Sequence, residues 1–415
     1  MKEKISVAFF GLTVYSVFAA GFGLYEMDAG STAMGGHVFA RPRNASANYY
    51  NPAGLSNLTG TWVNVGMTTL HPTLDTKVNG HGTGKMDPGC FIAPNAFVSQ
   101  ELPWGFTAGL GFYADYGLGS HYKNDWPLAW DSVESVFKGF TVNPNIAYKV
   151  TDKWSVAAGV RLVHTEFEQR RYIPTDLSAL GMGMRRMRMH MDLDNDVDVG
   201  GVLGTTYQVF DNFSVGAIYR SRVRVDMEGD SDVRGVPGSV NTPIGRKAIG
   251  DNYEGDIGDK IDLPSSATVG FNWDIIEKLH MGASLTWTEW STIDYLRFKL
   301  PAGLQTMDLR WHDAWRTGFG FGYDVAEDWT LFTGYTYDWD PTREKRPATM
   351  LPAGDRHIIS LGVAWHPGNW ELSVGYSIIL LESKTHYFES GDQRYKYQTD
   401  NCYTHCVGIT LGYHF

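Results

Sequence analysis

The sequence predicts an all-β chain: a 14-stranded antiparallel transmembrane β-barrel with an N-terminal hatch, or plug, inside the lumen. Three observations carry this expectation. The chain ends on a clean period-2 alternation, its connections alternate between short and long, and it is rich in aromatics and glycine without being strongly hydrophobic. Its 415 residues include 47 Gly, 14 Trp, 22 Tyr and 21 Phe, yet the mean hydropathy is only −0.25. A barrel in lipid has this profile because alternate residues face lipid and lumen. A secreted soluble β-protein shares much of it, so the pattern along the chain has to decide. Beyond the N-terminus no segment has the ~18 consecutive apolar residues of a membrane-spanning helix. A net charge of −11 argues against a nucleic-acid partner.

Residues 1–19 read as a secretory signal peptide. Lys2 and Lys4 precede the apolar stretch from Ile5 to Phe18, and Val17-Phe18-Ala19 has the pattern of a cleavage site. The mature chain is expected to start at Ala20 and to be exported.

The last strand is the sharpest signal. Val407, Ile409, Leu411, Tyr413 and Phe415 alternate with Cys406, Gly408, Thr410, Gly412 and His414, giving one apolar and one small or polar face. A final strand ending on an aromatic resembles the signal read by the barrel assembly machinery, which makes Phe415 the expected contact. Upstream, an apolar face runs from Leu309 and Trp311 through Trp315, Phe319, Phe321 and Tyr323. Further alternations start at Trp329, Ile359 and Trp370, and earlier ones at Phe213, Ala267 and Leu279. Short turns are expected near 99–103, 150–153, 208–212, 274–278, 324–328 and 366–369. Long loops are expected near 72–89, 115–138, 168–187, 226–263, 291–305, 340–355 and 382–402. Six short and seven long connections give fourteen strands with both chain ends on the short-turn side, spanning residues 59–415. Closure follows because hydrocarbon cannot satisfy an open strand edge.

Residues 20–58 fit neither period. They are rich in Gly, Ala, Ser and Asn but carry Phe22, Leu24, Tyr25, Phe39, Tyr49 and Tyr50. An aromatic-spotted segment before a wide barrel reads as a plug in the lumen rather than a loose tail.

Several stretches then point to a family. They include Ala20-Gly21-Phe22, the AMGG of Ala33–Gly36 and Asn51-Pro52-Ala53-Gly54, followed by FIAPNAFVSQ (91–100), DYGLGSHY (115–122) and NIAYKVTDKWSVAAGVRLVH (145–164). Segments 261–291 and 313–341 continue the series. In this order they resemble the FadL-type outer-membrane transporters of long-chain fatty acids and aromatic hydrocarbons, the family also known as FadL/OmpP1/TodX. The resemblance implies a bacterial outer-membrane barrel that binds hydrophobic molecules at an outer groove, passes them to an inner pocket and releases them sideways at a kinked third strand. It implies no enzyme activity, cofactor or metal. Expected partners are a hydrophobic small molecule, outer-membrane lipid and lipopolysaccharide.

Candidate site residues follow. Trp126, Trp130, Val133 and Phe137 fall on one face of an expected short helix and, with Leu128, Leu177, Leu180, Met182 and Met184, are candidates for the outer groove. Strand parity turns Arg161, Arg220, Arg222, Arg310 and Arg316 towards the lumen. Of these, Arg161, Arg220 and Arg316 are the candidate partners of a cargo carboxylate, which is costly to bury unpaired. Phe22, Leu24, Asn51, Pro52 and Ala53 are the hatch candidates. Gly109 and Gly111 mark the third strand, expected at Trp104–Tyr116, as the gate, because glycine inside a strand often marks a kink or a close approach.

Five other readings stay open on sequence alone, two of them a general diffusion porin and a purely structural or adhesive barrel. An aromatic-hydrocarbon transporter of the same fold is a third. An outer-membrane lipid hydrolase is a fourth, although no Gly-x-Ser-x-Gly elbow occurs. A Ca²⁺ site is the fifth: strand spacing would put Asp192, Asp194, Asp196 and Asp198 on one face, but without the glycine and terminal glutamate of an EF-hand. Of Cys90, Cys402 and Cys406, the last two are ~13 Å apart in an extended strand and could pair only if the chain turned between them.

Overall fold

The computed structural model describes residues 21–87, 89–176, 178, 183–234, 253–300, 303–344, 349–351, 353–390 and 393–415. The expected signal peptide, together with Leu177, Leu180 and Met182, lies outside the described residues.

Fourteen antiparallel strands form one closed sheet. In chain order they are β1 (Thr61–Val78), β2 (Phe91–Glu101), β3 (Phe106–His121), β4 (Glu134–Thr151) and β5 (Trp154–Asp176). There follow β6 (Met184–Asp194 continuing as Asp198–Phe210), β7 (Phe213–Arg220 continuing as Val223–Arg234) and β8 (Tyr253–Leu263 continuing as Ser266–Ile276). The circuit ends with β9 (Leu279–Thr288), β10 (Ala314–Ala326), β11 (Trp329–Asp338), β12 (Arg356–Trp365), β13 (Trp370–Leu381) and β14 (Gln393–His414). β14 pairs back onto β1, with Trp62 opposite His414, so the sheet has no free edge along that seam. In β14, Val407, Ile409 and Leu411 are 44–47% exposed on the outer face, while Cys406 and Thr410 are buried inside. That inversion suits a lipid solvent. Outward aromatics gather at the short-turn ends (Trp154, Tyr207, Trp273, Trp329, Trp365, Trp370) and at the opposite ends (Trp315, Trp339), as an interfacial girdle requires.

The strands run further than hydropathy suggests. β5 has 23 residues, about twice the ~9–11 needed to cross a bilayer. Parts of the expected loops 168–187, 226–263 and 382–402 are therefore strand. The cause is visible in β6, where Met187, Met189, Met191 and Leu193 point inward while Arg186, Arg188, Asp192 and Asp194 face out. The sheet stays closed above the lipid belt with water, rather than lipid, on its outer side.

Four local expectations are corrected. The short helix across 126–137 does not form: the chain joins β4 at Glu134, and Phe137 sits opposite Phe167 of β5, so sheet pairing overrides the helical spacing. Leu309 and Trp311 do not belong to the outer face of β10. They precede it, buried, in a long inward-folded connection that also holds the hairpin Tyr295–Leu300/Gly303–Asp308. Arg310 between them has a left-handed backbone (φ 41°) and an exposed side chain paired with Asp308 at 3.1 Å, so it does not face the lumen. The four aspartates do not share a face. Pairing is interrupted between Asp194 and Asp198, and Asp198 sits opposite inward Val163 while its neighbour Val199 is exposed. Cys402 and Cys406 are both free and lie on continuous strand β14.

Residues 21–58 are almost wholly buried. They form two short helices, α1 (Ala29–Ala33) and α2 (Ala47–Tyr50), and the 3-10 turn Pro52–Asn57. Asp28 caps α1 by accepting from Ser31 N, and the Asn51 side chain caps the 3-10 turn by accepting from Ala53 N. The segment's bonds reach strands right round the sheet. Ala29 N donates to Thr410 Oγ1 of β14, the His37 ring bonds Ser284 of β9 and Thr336 of β11, and Asn51 Nδ2 donates to Thr205 O of β6. A Cβ on Gly282 or Gly320 would overlap the backbone of His37 or Met34, which is why the wall has glycine there.

Candidate functional site

The sheet is irregular in the neighbourhood of β3. β1 and β2 pair from Thr61/Gln100 to Leu70/Phe91, but β2 and β3 pair only from Glu101/Thr107 to Asn95/Tyr113. Among the described residues no strand lies beside β3 on that side from Ala114 to Ser120; the chain returns at Asp87, whose N donates to His121 O at 2.8 Å. Residues 22–24 occupy this edge: Leu24 N donates to Asp115 O at 2.9 Å, and Gly117 N to Phe22 O at 2.8 Å. On its other side β3 shifts register against β4 between Tyr113 and Tyr116. The irregularity thus lies just beyond Gly109 and Gly111. Those glycines face the N-terminal segment instead: a Cβ on Gly109 would overlap Asn48 and Leu55, and one on Gly111 would press on Phe97, Tyr113 and Asn48.

Phe22 leads from this edge into a large apolar cluster. Its ring lies 4.9 Å from Phe137, 5.0 Å from Trp290, 5.8 Å from Tyr116 and 6.0 Å from Trp311. Met189, Met191, Val225 and Leu263 close the sides, and Met350 and Leu351 come from the connection between β11 and β12. This chamber is filled by its own side chains, so an apolar molecule can enter only by repacking them, and methionines adapt readily to such change. Trp290, Trp311, Met189, Met191 and Met350 were not among the sequence candidates. The alternation Met187, Met189, Met191, Leu193 inside an arginine-rich stretch was the available signal.

A second apolar cluster sits at the rim. Trp126, Leu128 and Val133 pack with Leu74, Met86, Tyr122 and Tyr397, and Trp130 packs on its edge. The Trp126 ring stacks on Tyr122 at 4.0 Å. The structure therefore brings Trp126, Leu128, Trp130 and Val133 together, assigns Phe137 to the chamber, and leaves Met184 65% exposed. The two clusters meet at Thr349, whose N and Oγ1 both donate to Asp131 Oδ2 (3.0 and 2.5 Å) and whose carbonyl accepts from Tyr122 OH. Burial pushes the Asp131 carboxyl above its ordinary range, and the Thr349 bonds partly offset this.

The inward arginines differ sharply in what they hold. Arg161, 1% exposed, pairs with Asp115 at 2.6 Å, and Asp115 also accepts from Thr141 Oγ1 at 2.7 Å. Arg222 pairs with Asp262 and Glu289. Arg220 donates to Tyr49 O, and its guanidinium lies 4.7 Å over the Tyr49 ring. Arg316, 8% exposed, lies 4.0 Å over the Tyr25 ring and donates to Gly35 O at 3.4 Å, while its Nη1 makes no hydrogen bond.

A closed antiparallel sheet with a lipid-facing apolar belt, an apolar chamber inside and an irregular third strand defines an outer-membrane barrel for hydrophobic molecules. The chain belongs to the family described as outer membrane protein transport protein (OMPP1/FadL/TodX), whose model matches residues 12–415. It is a family of transport proteins, and the hydrolase reading is set aside. The long-chain fatty acid transport protein of Salmonella typhi is 24% identical over 66% of this chain and 65% of its own length. Among solved structures, a FadL homologue from Pseudomonas aeruginosa superimposes with a TM-score of 0.84 at 19% identity, covering 95% of this chain and all of that one. The toluene transporter TodX of P. putida gives 0.74 at 20% identity, covering 94% and 99%. At these identities the structural matches establish the fold alone.

Proposed function

We propose that this barrel takes up long-chain fatty acids or closely related amphiphiles from outside the cell. Cargo first partitions onto the rim cluster around Trp126, Leu128, Trp130 and Val133, then enters the chamber around Phe22, Trp290 and Trp311. Residues 20–58 act as the hatch. Displacement of residues 22–24 opens the edge of β3 between β2 and β3, and cargo leaves sideways into the membrane. Transfer is passive, driven by preference for the opened state.

The observation that carries the reading is the position of Phe22. The residue that fills the apolar chamber is also one that pairs with the unaccompanied edge of β3. Of the three candidate cations, Arg161 has Asp115 as its counter-ion and Arg220 is committed to Tyr49; Arg161 Nε and Arg316 Nη1 are both buried and unbonded, and of these two only the Arg316 donor belongs to a guanidinium without a carboxylate partner among the described residues. That donor favours an acidic head group. A monoaromatic hydrocarbon is the second reading, favoured by the aromatic lining of the chamber.

Native mass spectrometry on the detergent-purified protein, with uptake of radiolabelled palmitate and toluene by cells expressing it, tests the proposal. Palmitate uptake and a co-purified acyl chain are expected. Toluene uptake without palmitate uptake would favour the second reading, and uptake of neither would refute both.

A further inference from the structure

The ladder between β6 and β7 parts and rejoins. Below, the strands pair as far as Val202 opposite Arg220, and above they pair again from Asp194 opposite Glu228. Seven residues of each strand, 195–201 and 221–227, lie between these points, and among the described residues no ladder pair joins them. Each margin is held from its other side. Asp198 to Gly201 pair with Val163 to Val160 of β5, and Val223 to Asp226 pair with Leu263 to Lys260 of β8. Bonds tie the gap near its two ends. At the lower one Ser221 N donates to Gly201 O at 2.9 Å and Gly201 N to Ser221 Oγ at 2.7 Å; at the upper one Asp226 N donates to Asp198 Oδ2 at 3.3 Å. Between them Val223 lies fully buried against Gly200, its Cγ2 2.6 Å from the place a Cβ on that glycine would take.

The gap joins two apolar regions. Behind it, Val163, Leu193, Val223 and Val225 belong to the chamber cluster. In front, Val197 and Val199 are 54% and 63% exposed, on the outer face that carries Leu162 of β5 and Leu203 lower on β6. Just above, that face turns charged, with Asp194, Asp196 and Asp226 exposed. The gap therefore lies where the lipid belt meets water.

We propose that this gap is an acyl-chain slot, a second opening of the chamber separate from the edge of β3. The hydrocarbon chain of an amphiphile lying in the outer leaflet enters through it, while the head group stays at the boundary. The inference rests on the transport reading above and adds to it an entrance from the membrane side.

Parting a continuous ladder would leave amide and carbonyl groups in hydrocarbon, which cannot satisfy them. Here the strands are already apart, each margin keeps its ladder on the far side, and the level of the gap gives its free backbone groups access to water. Opening it needs only the isopropyl group of Val223 to turn away from Gly200. An unbranched chain is slim enough to take the place of that group, whereas an aromatic ring is broader, so the slot favours chains over rings. Charges of both signs flank it outside, Arg224 and Lys260 beside Asp196 and Asp226, so it selects the chain and not the head. Glycine at 200 is what leaves the passage free, because any Cβ there overlaps Val223.

The test uses the full-length protein in lipid nanodiscs and two photoactivatable palmitates dissolved in the bilayer. One carries a diazirine at mid-chain and the other at the chain end, and mass spectrometry maps the cross-links. Leu203, 59% exposed on the same strand, reports ordinary lipid contact. The mid-chain probe is expected to label Gly200 and Val223, and the chain-end probe Met189 and Met191 in the chamber. Gly200→Leu should lose the label at Val223 and keep that at Leu203. Val223→Ala should raise chain-end labelling of Met189 and Met191. Heat-modifiable gel mobility verifies that each variant is a folded barrel. Chamber labelling without any at Gly200 or Val223, or labelling unmoved by both substitutions, overturns the slot and leaves the transport reading standing. Absence of chamber labelling with either probe overturns both.

Discussion

At the scale of single residues, the inner wall shows how a buried charge is made tolerable. Arg161 and Asp115 are matched inside the sheet at the point where β3 loses its neighbour. Removing one member of such a pair leaves an uncompensated charge, whereas replacing both by apolar residues of similar size is often neutral. Asp115→Ala is therefore expected to lower stability by about 3–5 kcal/mol, and Asp115→Leu with Arg161→Met to recover most of it. Urea midpoints of the folded barrel check both, and equal loss in the single and double variants would contradict the argument. Strand parity made Arg161, Arg220 and Arg316 legible as inward residues. Their partners were not legible, because Asp115, Tyr49 and Tyr25 reach them through long-range closure of the sheet and the path of the N-terminal segment.

At the scale of elements, period-2 patterning located strands well and their outer ends badly. β14 was readable to its last residue because its outer face is apolar throughout the belt. β6 and β7 continue upward with charged outer faces, and a hydropathy-based reading stops where lipid stops. The rim failed for a different reason: spacing at i, i+4, i+7 suits a helix, but β4 had a paired neighbour available and a helix did not. The hairpin Thr385–Ser390, which pairs with the start of β14, offers a test outside the lipid belt. His386 is fully buried there, and burial, aided by nearby Lys384, pushes its imidazole down to about 4 from an ordinary value of 6.5. The unfolded hairpin therefore takes up a proton before the folded one does. Its stability is complete above about pH 6.5 and falls as pH drops towards 4, by up to about 3 kcal/mol. Hydrogen exchange at 385–398 should be faster at pH 4.5 than at pH 7 after correction for intrinsic rate, and His386→Leu should remove the difference.

At the scale of the whole molecule, the proposed transport predicts a barrel and an N-terminal segment that are separable in assembly but joined in function. Fourteen strands, the closing pair β1/β14 and the lipid belt depend on residues beyond 60. Phe22, Tyr25 and the Asp28 cap belong to the first stretch. Deleting residues 20–30 is expected to leave a heat-modifiable barrel in the outer membrane and to abolish palmitate uptake. Full uptake by that variant would reject the hatch role. The number of strands was visible in the order of short and long connections. The ceiling over the chamber was not. Trp290, Trp311, Met350 and Leu351 sit in long connections, where sequence gives no sign of inward folding.

The three residues at 22–24 bear on how such a wall could ever part. They satisfy the Asp115 carbonyl and the Gly117 amide, which among the described residues have no strand beside them on that side. Hydrocarbon cannot replace those bonds, and each one left unmet costs several kcal/mol. Any departure of the segment must therefore occur at a level that solvent can reach, or be accompanied by a polar substitute arriving from within. Were the wall to part there, the height of the breach above the membrane midplane would be set by the wetting of a few backbone amides rather than by the greasiness of whatever passes through.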